Sequence, residues 1–226
     1  MVNRSILVGV PAYNTRLLAD LSVPDDPRGL VLVAHTSHIN RWSSRERRLV
    51  DDLRAHDLAT LRLDLLTRDE SIVYTPERVV PHDVTTLARR LAAARDWAAG
   101  QAQFAELPYA CLATGRGAAA AMTAAAERPG SFHALVLLDG RVDQALGAAE
   151  LVRAPTLLVV ARENPDLVAV NSHVHTRLRC VKQLALVDGT SSLLEQQSSI
   201  DEASRLTWEW LSRFLGLQDA DTSPAE

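Results

Sequence analysis

Leu107–Met122 reads LPYACLATGRGAAAAM, and these residues decide the fold. Pro108 punctuates the chain, and the short apolar run from Tyr109 to Ala113 suits a buried strand. Gly115 and Gly117 follow it. The alanine-rich run after them, from about Arg116 to Glu127, is strongly helix-forming. A strand that passes straight into a helix is the repeating unit of a parallel sheet.

The same alternation extends in both directions. Toward the N-terminus lie strand-like runs at Ile6–Val10, Leu17–Val23, Leu30–His35 and Leu58–Leu65. Arg45–His56 between them has Leu49, Val50 and Leu53 at helical spacing, and Val84–Ala99 puts Leu87, Leu91, Ala94 and Trp97 on one helical face. Residues 68–81 carry Pro76 and Pro81 and read as a loop. Toward the C-terminus come strands at Leu135–Leu138, Thr156–Ala161 and Gln183–Val187, a helix at Asp166–Leu178 and a closing amphipathic helix at Asp201–Leu217. The expected architecture is a single α/β domain over 1–217, its mostly parallel sheet covered on both faces, with no large lid domain. Residues 218–226 form a polar tail expected to lack structure.

The 226 residues suit one such domain, and with 47% hydrophobic but only 4% aromatic residues the core must be built from Leu, Val and Ala. A formal net charge of -4 gives no basic surface for nucleic acid. The basic residues are scattered apart from Arg41, Arg45, Arg47 and Arg48. Two cysteines, Cys111 and Cys180, cannot build a disulfide framework. No apolar run approaches the roughly 20 residues that span a bilayer. A cytoplasmic protein with no signal peptide, membrane contact or nucleic-acid partner is expected. His173 and His175 fall on different helix faces, and the glycines of 115–117 lack dinucleotide spacing, so no metal and no cofactor is implied.

In parallel sheets ligands bind beyond the carboxyl ends of the strands. Four such ends carry polar residues: 35–38, 111–117, 162–164 and 189–192. Five segments in order resemble the dienelactone-hydrolase branch of the α/β-hydrolases, and in particular the small hydrolases linked to phosphoribosyltransferases. RGLVLVAHTSH (28–38) is similar to the oxyanion strand and loop. RWSSRERRLVDDLRAHDLATLRLDLLT (41–67) is similar to the following helix and strand. LPYACLATGRGAAAAM is similar to the nucleophile-elbow segment, APTLLVVARENPDLVAVN (154–171) to the acid-bearing segment, and LVDGTSSLLEQ (186–196) to the histidine-bearing segment.

The resemblance implies an α/β-hydrolase fold whose catalytic triad has degenerated. Matching Gly-x-Ser-x-Gly to Cys111–Gly115 puts Ala113 at the serine position, the apex of a tight strand-to-helix turn, and a methyl group cannot attack a carbonyl. Asn164 takes the acid position and Ser192 the histidine position. Neither can do the work of the residue it replaces. Thr36 and His38 stand where the oxyanion loop has glycines. The candidate pocket residues are His35, Thr36, Ser37, His38, Tyr74, Thr114, Arg116, Ser191 and Ser192. Arg116, at a helix N-terminus, could meet an anion, and Cys111 lies within a strand rather than at a turn.

The implied function is a non-hydrolytic protein holding a small organic molecule in the altered pocket. It could be a repurposed enzyme for cyclisation, isomerisation or elimination without a covalent intermediate. A catalytically dead binding or partner subunit is the alternative, and residual dienelactone-hydrolase-like esterase activity is a third. Whether the chain forms a homodimer or takes a protein partner stays open.

Overall fold

The structure is a computed structural model that describes residues 5–36, 44–67, 69–70, 83–189 and 191–217. Its strands are β1 (Ile6–Ala12), β2 (Thr15–Ser22), β3 (Gly29–His35), β4 (Leu58–Asp64), β5 (Tyr109–Thr114), β6 (Ala134–Leu138), β7 (Thr156–Ala161) and β8 (Lys182–Val187). The helices are α1 (Ser44–Ala55), α2 (Val84–Ala99), α3 (Arg116–Glu127), α4 (Pro165–Arg177) and α5 (Gln197–Phe214). A kinked 3-10 segment, Val142–Leu151, joins β6 to β7 and has no helical signature in the sequence. The expected tail at 218–226 lies outside the described residues, as does most of the loop at 68–81.

The strands form one sheet in the order β1-β2-β4-β3-β5-β6-β7-β8. β1 and β2 form an antiparallel hairpin, β2 joins β4 antiparallel, and every later pairing is parallel. The central strands are buried on both faces, which is why their sequences run apolar without alternation. Leu30, Leu32, Cys111 and Ala113 point toward a core shared with α2 and α3. Val31, Val33, Ala110 and Leu112 point the other way, toward α1 and α5. No helix among the described residues is long and apolar enough to cross a membrane.

Each helix begins where its local chemistry allows. The Asp83 carboxylate accepts the Thr85 amide at 3.1 Å and caps α2, and Asn164 caps α4 through the Leu167 amide at 3.2 Å. Leu87, Leu91 and Ala94 then bury the face of α2 that the sequence periodicity marks.

Arg90, on the same helix, is buried at 2% exposure. Its guanidinium donates to the Leu65 carbonyl at 2.8 Å and to both carboxylate oxygens of Glu70, at 2.7 and 2.8 Å. One buried charge thus joins α2 to the chain leaving β4. The Arg90 hydrogen bond is the largest influence on Glu70, and with the Thr67 amide it outweighs burial and holds the carboxyl down at about 2, from 4.5. A carboxyl lowered in this way contributes stability that is present above pH 4.5 and lost as the pH falls toward 2. Glu70→Gln should therefore make the acid limb of a urea-midpoint-against-pH curve shallower. Glu70→Ala leaves a buried guanidinium without its counterion. Because Glu70 is partly exposed, that change should cost about 3 kcal/mol at pH 7, the low end for a broken buried pair.

Candidate functional site

The turn between β5 and α3 is the centre of the candidate site. β5 runs on through Thr114, and Ala113 is paired on both sides, with Ala34 of β3 and Leu137 of β6. Ala113 is fully buried with its methyl beneath α3. The residue at the apex of the turn is Gly115, with φ 52 and ψ -123. This corrects the sequence reading that put Ala113 at the turn, which is two residues early. Both glycines have a steric reason to be there. Gly115 adopts a conformation that L side chains rarely take. A Cβ on Gly117 would stand 2.8 Å from the Ala34 carbonyl oxygen, so the first turn of α3 can lie against β3 only without a side chain there.

A cavity of about 190 Å³ opens beside this apex. Its walls include Thr36 at the end of β3, Thr114 and Gly115 at the turn, Asp139 after β6, and Ser192 and Leu193 after β8. The structure therefore brings together three expected pocket residues: Thr36, Thr114 and Ser192. The other expectations are met differently. His35 is fully buried at the end of β3 and is not among the lining residues. Arg116 opens α3 but does not line this cavity. Ser191 is exposed beside it; its hydroxyl meets the Glu195 carboxylate at 3.5 Å and its carbonyl accepts the Asn164 side-chain amide at 3.2 Å. That second bond links the segments after β7 and β8 on which Asn164 and Ser192 sit. Ser37, His38 and Tyr74 lie outside the described residues. Cys111 is sealed in β5, and burial pushes its thiol far above the usual range, which removes it as a nucleophile.

Asp139 is the residue the sequence reading missed. It follows the apolar run ALVLL directly, so it stands at a fifth strand end of the same edge, and that position is the signal that could have found it. Its backbone is left-handed, with φ 45. One carboxylate oxygen accepts the Ala161 amide at 2.9 Å and the other the Leu193 amide at 2.7 Å, and the Ser192 hydroxyl also bonds to the group. Burial nonetheless dominates and raises the carboxyl above its ordinary 3.8, against the pull of those three hydrogen bonds. A group raised in this way contributes stability that is fully present below pH 3.8 and lost as the pH rises through its native value. Chemically, the cavity offers one carboxyl that keeps its proton longer than an ordinary aspartate, together with three hydroxyls. Among the described residues, no group of three histidine, cysteine or acidic side chains is placed to hold a metal.

No family model matches the chain. Its fold is that of a dienelactone hydrolase from Anabaena variabilis, with a TM-score of 0.88 and 32% identity over 95% of this chain and 99% of that one. An esterase from Pyrococcus furiosus superposes with a TM-score of 0.77 over 95% of this chain and 94% of the other, but at 14% identity this is a likeness of fold alone. Two proteins from strains of Mycobacterium tuberculosis, provisionally described as phosphoribosyl transferases, are 34% identical over 208 residues. The match covers 92% of this chain but 46% of theirs, so the chain spans about half the length of these relatives.

Replacing Asp139 tests how the site is held. Asp139→Ala leaves the buried amides of Ala161 and Leu193 without their acceptor. It should lower stability by about 2 kcal/mol in urea unfolding and speed amide hydrogen exchange at Leu193. Unchanged exchange there would mean that the carboxylate does not tie down the segment after β8.

Proposed function

The chain belongs to the dienelactone-hydrolase-like α/β-hydrolases, and we propose that it holds a small organic molecule in the cavity beside Gly115 without forming a covalent acyl-enzyme. The observation that carries this reading is the residue at the apex of the turn. In α/β-hydrolases the strained apex presents the attacking side chain, and here it is a glycine with no side chain at all. The reading does not depend on which register is used, because neither Ala113 nor Gly115 supplies a nucleophile. Asn164 and Ser192 stand at the acid and histidine positions. Asn164 caps α4 and Ser192 bonds to Asp139, so both are committed to holding the loops.

The remaining chemistry belongs to Asp139 and the hydroxyls of Thr36, Thr114 and Ser192. A partly buried carboxyl whose pKa is raised by desolvation suits proton transfer to or from a bound molecule, as isomerisation, cyclisation or elimination requires. At about 190 Å³ the cavity is smaller than the range typical of drug-sized ligands, which argues for a compact substrate. One observation favours the alternative, a binding subunit without turnover: both carboxylate oxygens of Asp139 are already occupied by backbone amides.

Activity-based labelling tests the central point. A fluorophosphonate probe should leave the protein unmodified by intact mass, and activated esters such as p-nitrophenyl acetate should be hydrolysed no faster than in buffer. Stoichiometric labelling of any serine would overturn the proposal in favour of residual esterase chemistry.

A further inference from the structure

A second cavity, of about 390 Å³, lies between the β1–β2–β4 corner of the sheet and α1 and shares no lining residue with the first. Its floor is a polar ladder. The register pairs Asp20 with Arg62 and Ser22 with Thr60, and all four side chains line the cavity. Their neighbours Ala19, Leu21, Leu61 and Leu63 face the apolar core on the other side of the sheet. The roof is one face of α1, where Arg47, Asp51 and Arg54 recur at helical spacing. Arg47 belongs to the basic cluster that stands out in the sequence and that the candidate site does not use.

Two observations call for an occupant. Ser22 lines the cavity at 3% exposure, and its buried hydroxyl has no hydrogen-bond partner among the described residues. A buried hydroxyl left in that state destabilises the fold unless something entering the cavity satisfies it. The second observation is charge. Asp20 pairs with Arg62 at 3.1 Å and Asp51 with Arg54 at 2.8 Å, so both carboxylates are neutralised. Arg47 makes no ion pair with a described residue, which leaves one guanidinium in excess. The Arg62 side chain is only 10% exposed and spends a single hydrogen bond on Asp20, which leaves further N–H donors on a residue that lines the cavity.

From this we propose that the cavity is a binding site for a small oxyanion, a phosphate ester or a carboxylate, held by Arg47, Arg62 and the Ser22 hydroxyl. Guanidinium forks and a buried hydroxyl are the donors that such oxygens select. The site is separate from the cavity at Gly115 and does not depend on what that cavity does.

Isothermal titration calorimetry at constant ionic strength, with inorganic phosphate and with acetate as probes, tests this site. Saturable binding at one site per chain is expected, and the tighter of the two probes identifies the class. Ser22→Ala removes only an unsatisfied hydroxyl, and Arg47→Gln changes an exposed residue, so both variants should fold. Each should weaken binding by about tenfold, the loss of one charge-assisted hydrogen bond. Arg48→Gln is the control, because Arg48 pairs with Asp201 at 3.2 Å and does not line the cavity; its affinity should match that of the parent. No saturable binding of either probe would overturn the proposal. So would binding that neither Ser22→Ala nor Arg47→Gln weakens.

Discussion

The approach of α3 to β3 is the constraint on which the candidate site depends. At Gly117 the helix comes so close to the Ala34 carbonyl that no Cβ fits, and at Gly115 the backbone must turn through a conformation that excludes most side chains. The neighbouring turn meets the same requirement. Gly115 donates to the Leu138 carbonyl at 3.4 Å, and the Arg141 amide donates back to the Gly115 carbonyl at 2.9 Å. A Cβ on Gly140 would lie 2.8 Å from the Ala118 methyl. Small residues on β5, α3 and the turn after β6 therefore keep one geometry, and that geometry places Thr36, Thr114, Asp139 and Ser192 around one cavity. In a hydrolase such an apex serves to present a nucleophile. This chain retains the backbone strain without the group it would present.

Much of the fold was legible because it rests on local signals. Buried parallel strands are apolar throughout, and helices of a packed domain are amphipathic, so Leu30–His35, Thr156–Ala161 and Arg116–Glu127 could be read residue by residue. The 3-10 segment Val142–Leu151 was not legible. Its short, kinked turns have no helical period and are shaped by packing against α3 and α4.

The site was legible as a set of strand ends but not in its register. LATGRG offers glycines at 115 and 117, and a small-x-x-x-small pattern fits Cys111–Gly115 as well as Ala113–Gly117. Only the dihedral angles at Gly115 and the close approach at Gly117 separate the two, and neither is a property of composition. Asp139 escaped for a related reason. It looks like the first residue of the turn before Arg141, and only the fold reveals that its carboxylate reaches across to Ala161 and Leu193. The polar ladder of Asp20, Ser22, Thr60 and Arg62 was equally hidden, since it depends on the antiparallel register between β2 and β4. Contacts between residues distant in sequence are what local patterns do not encode.

The central claim is that the chain presents an empty position at the apex of the turn and that this position is residue 115. It can be tested directly by comparing the alkylation rates of Gly115→Cys and Ala113→Cys with iodoacetamide, both in a Cys180→Ala background. A cysteine at 115 would sit half-exposed at the mouth of the cavity and at the N-terminus of α3, where a thiolate is favoured. A cysteine at 113 would share the sealed environment of Cys111, whose thiol burial keeps protonated. The account predicts rapid alkylation at neutral pH for Gly115→Cys and none on the same timescale for Ala113→Cys. Equal or faster reaction at 113 would contradict it.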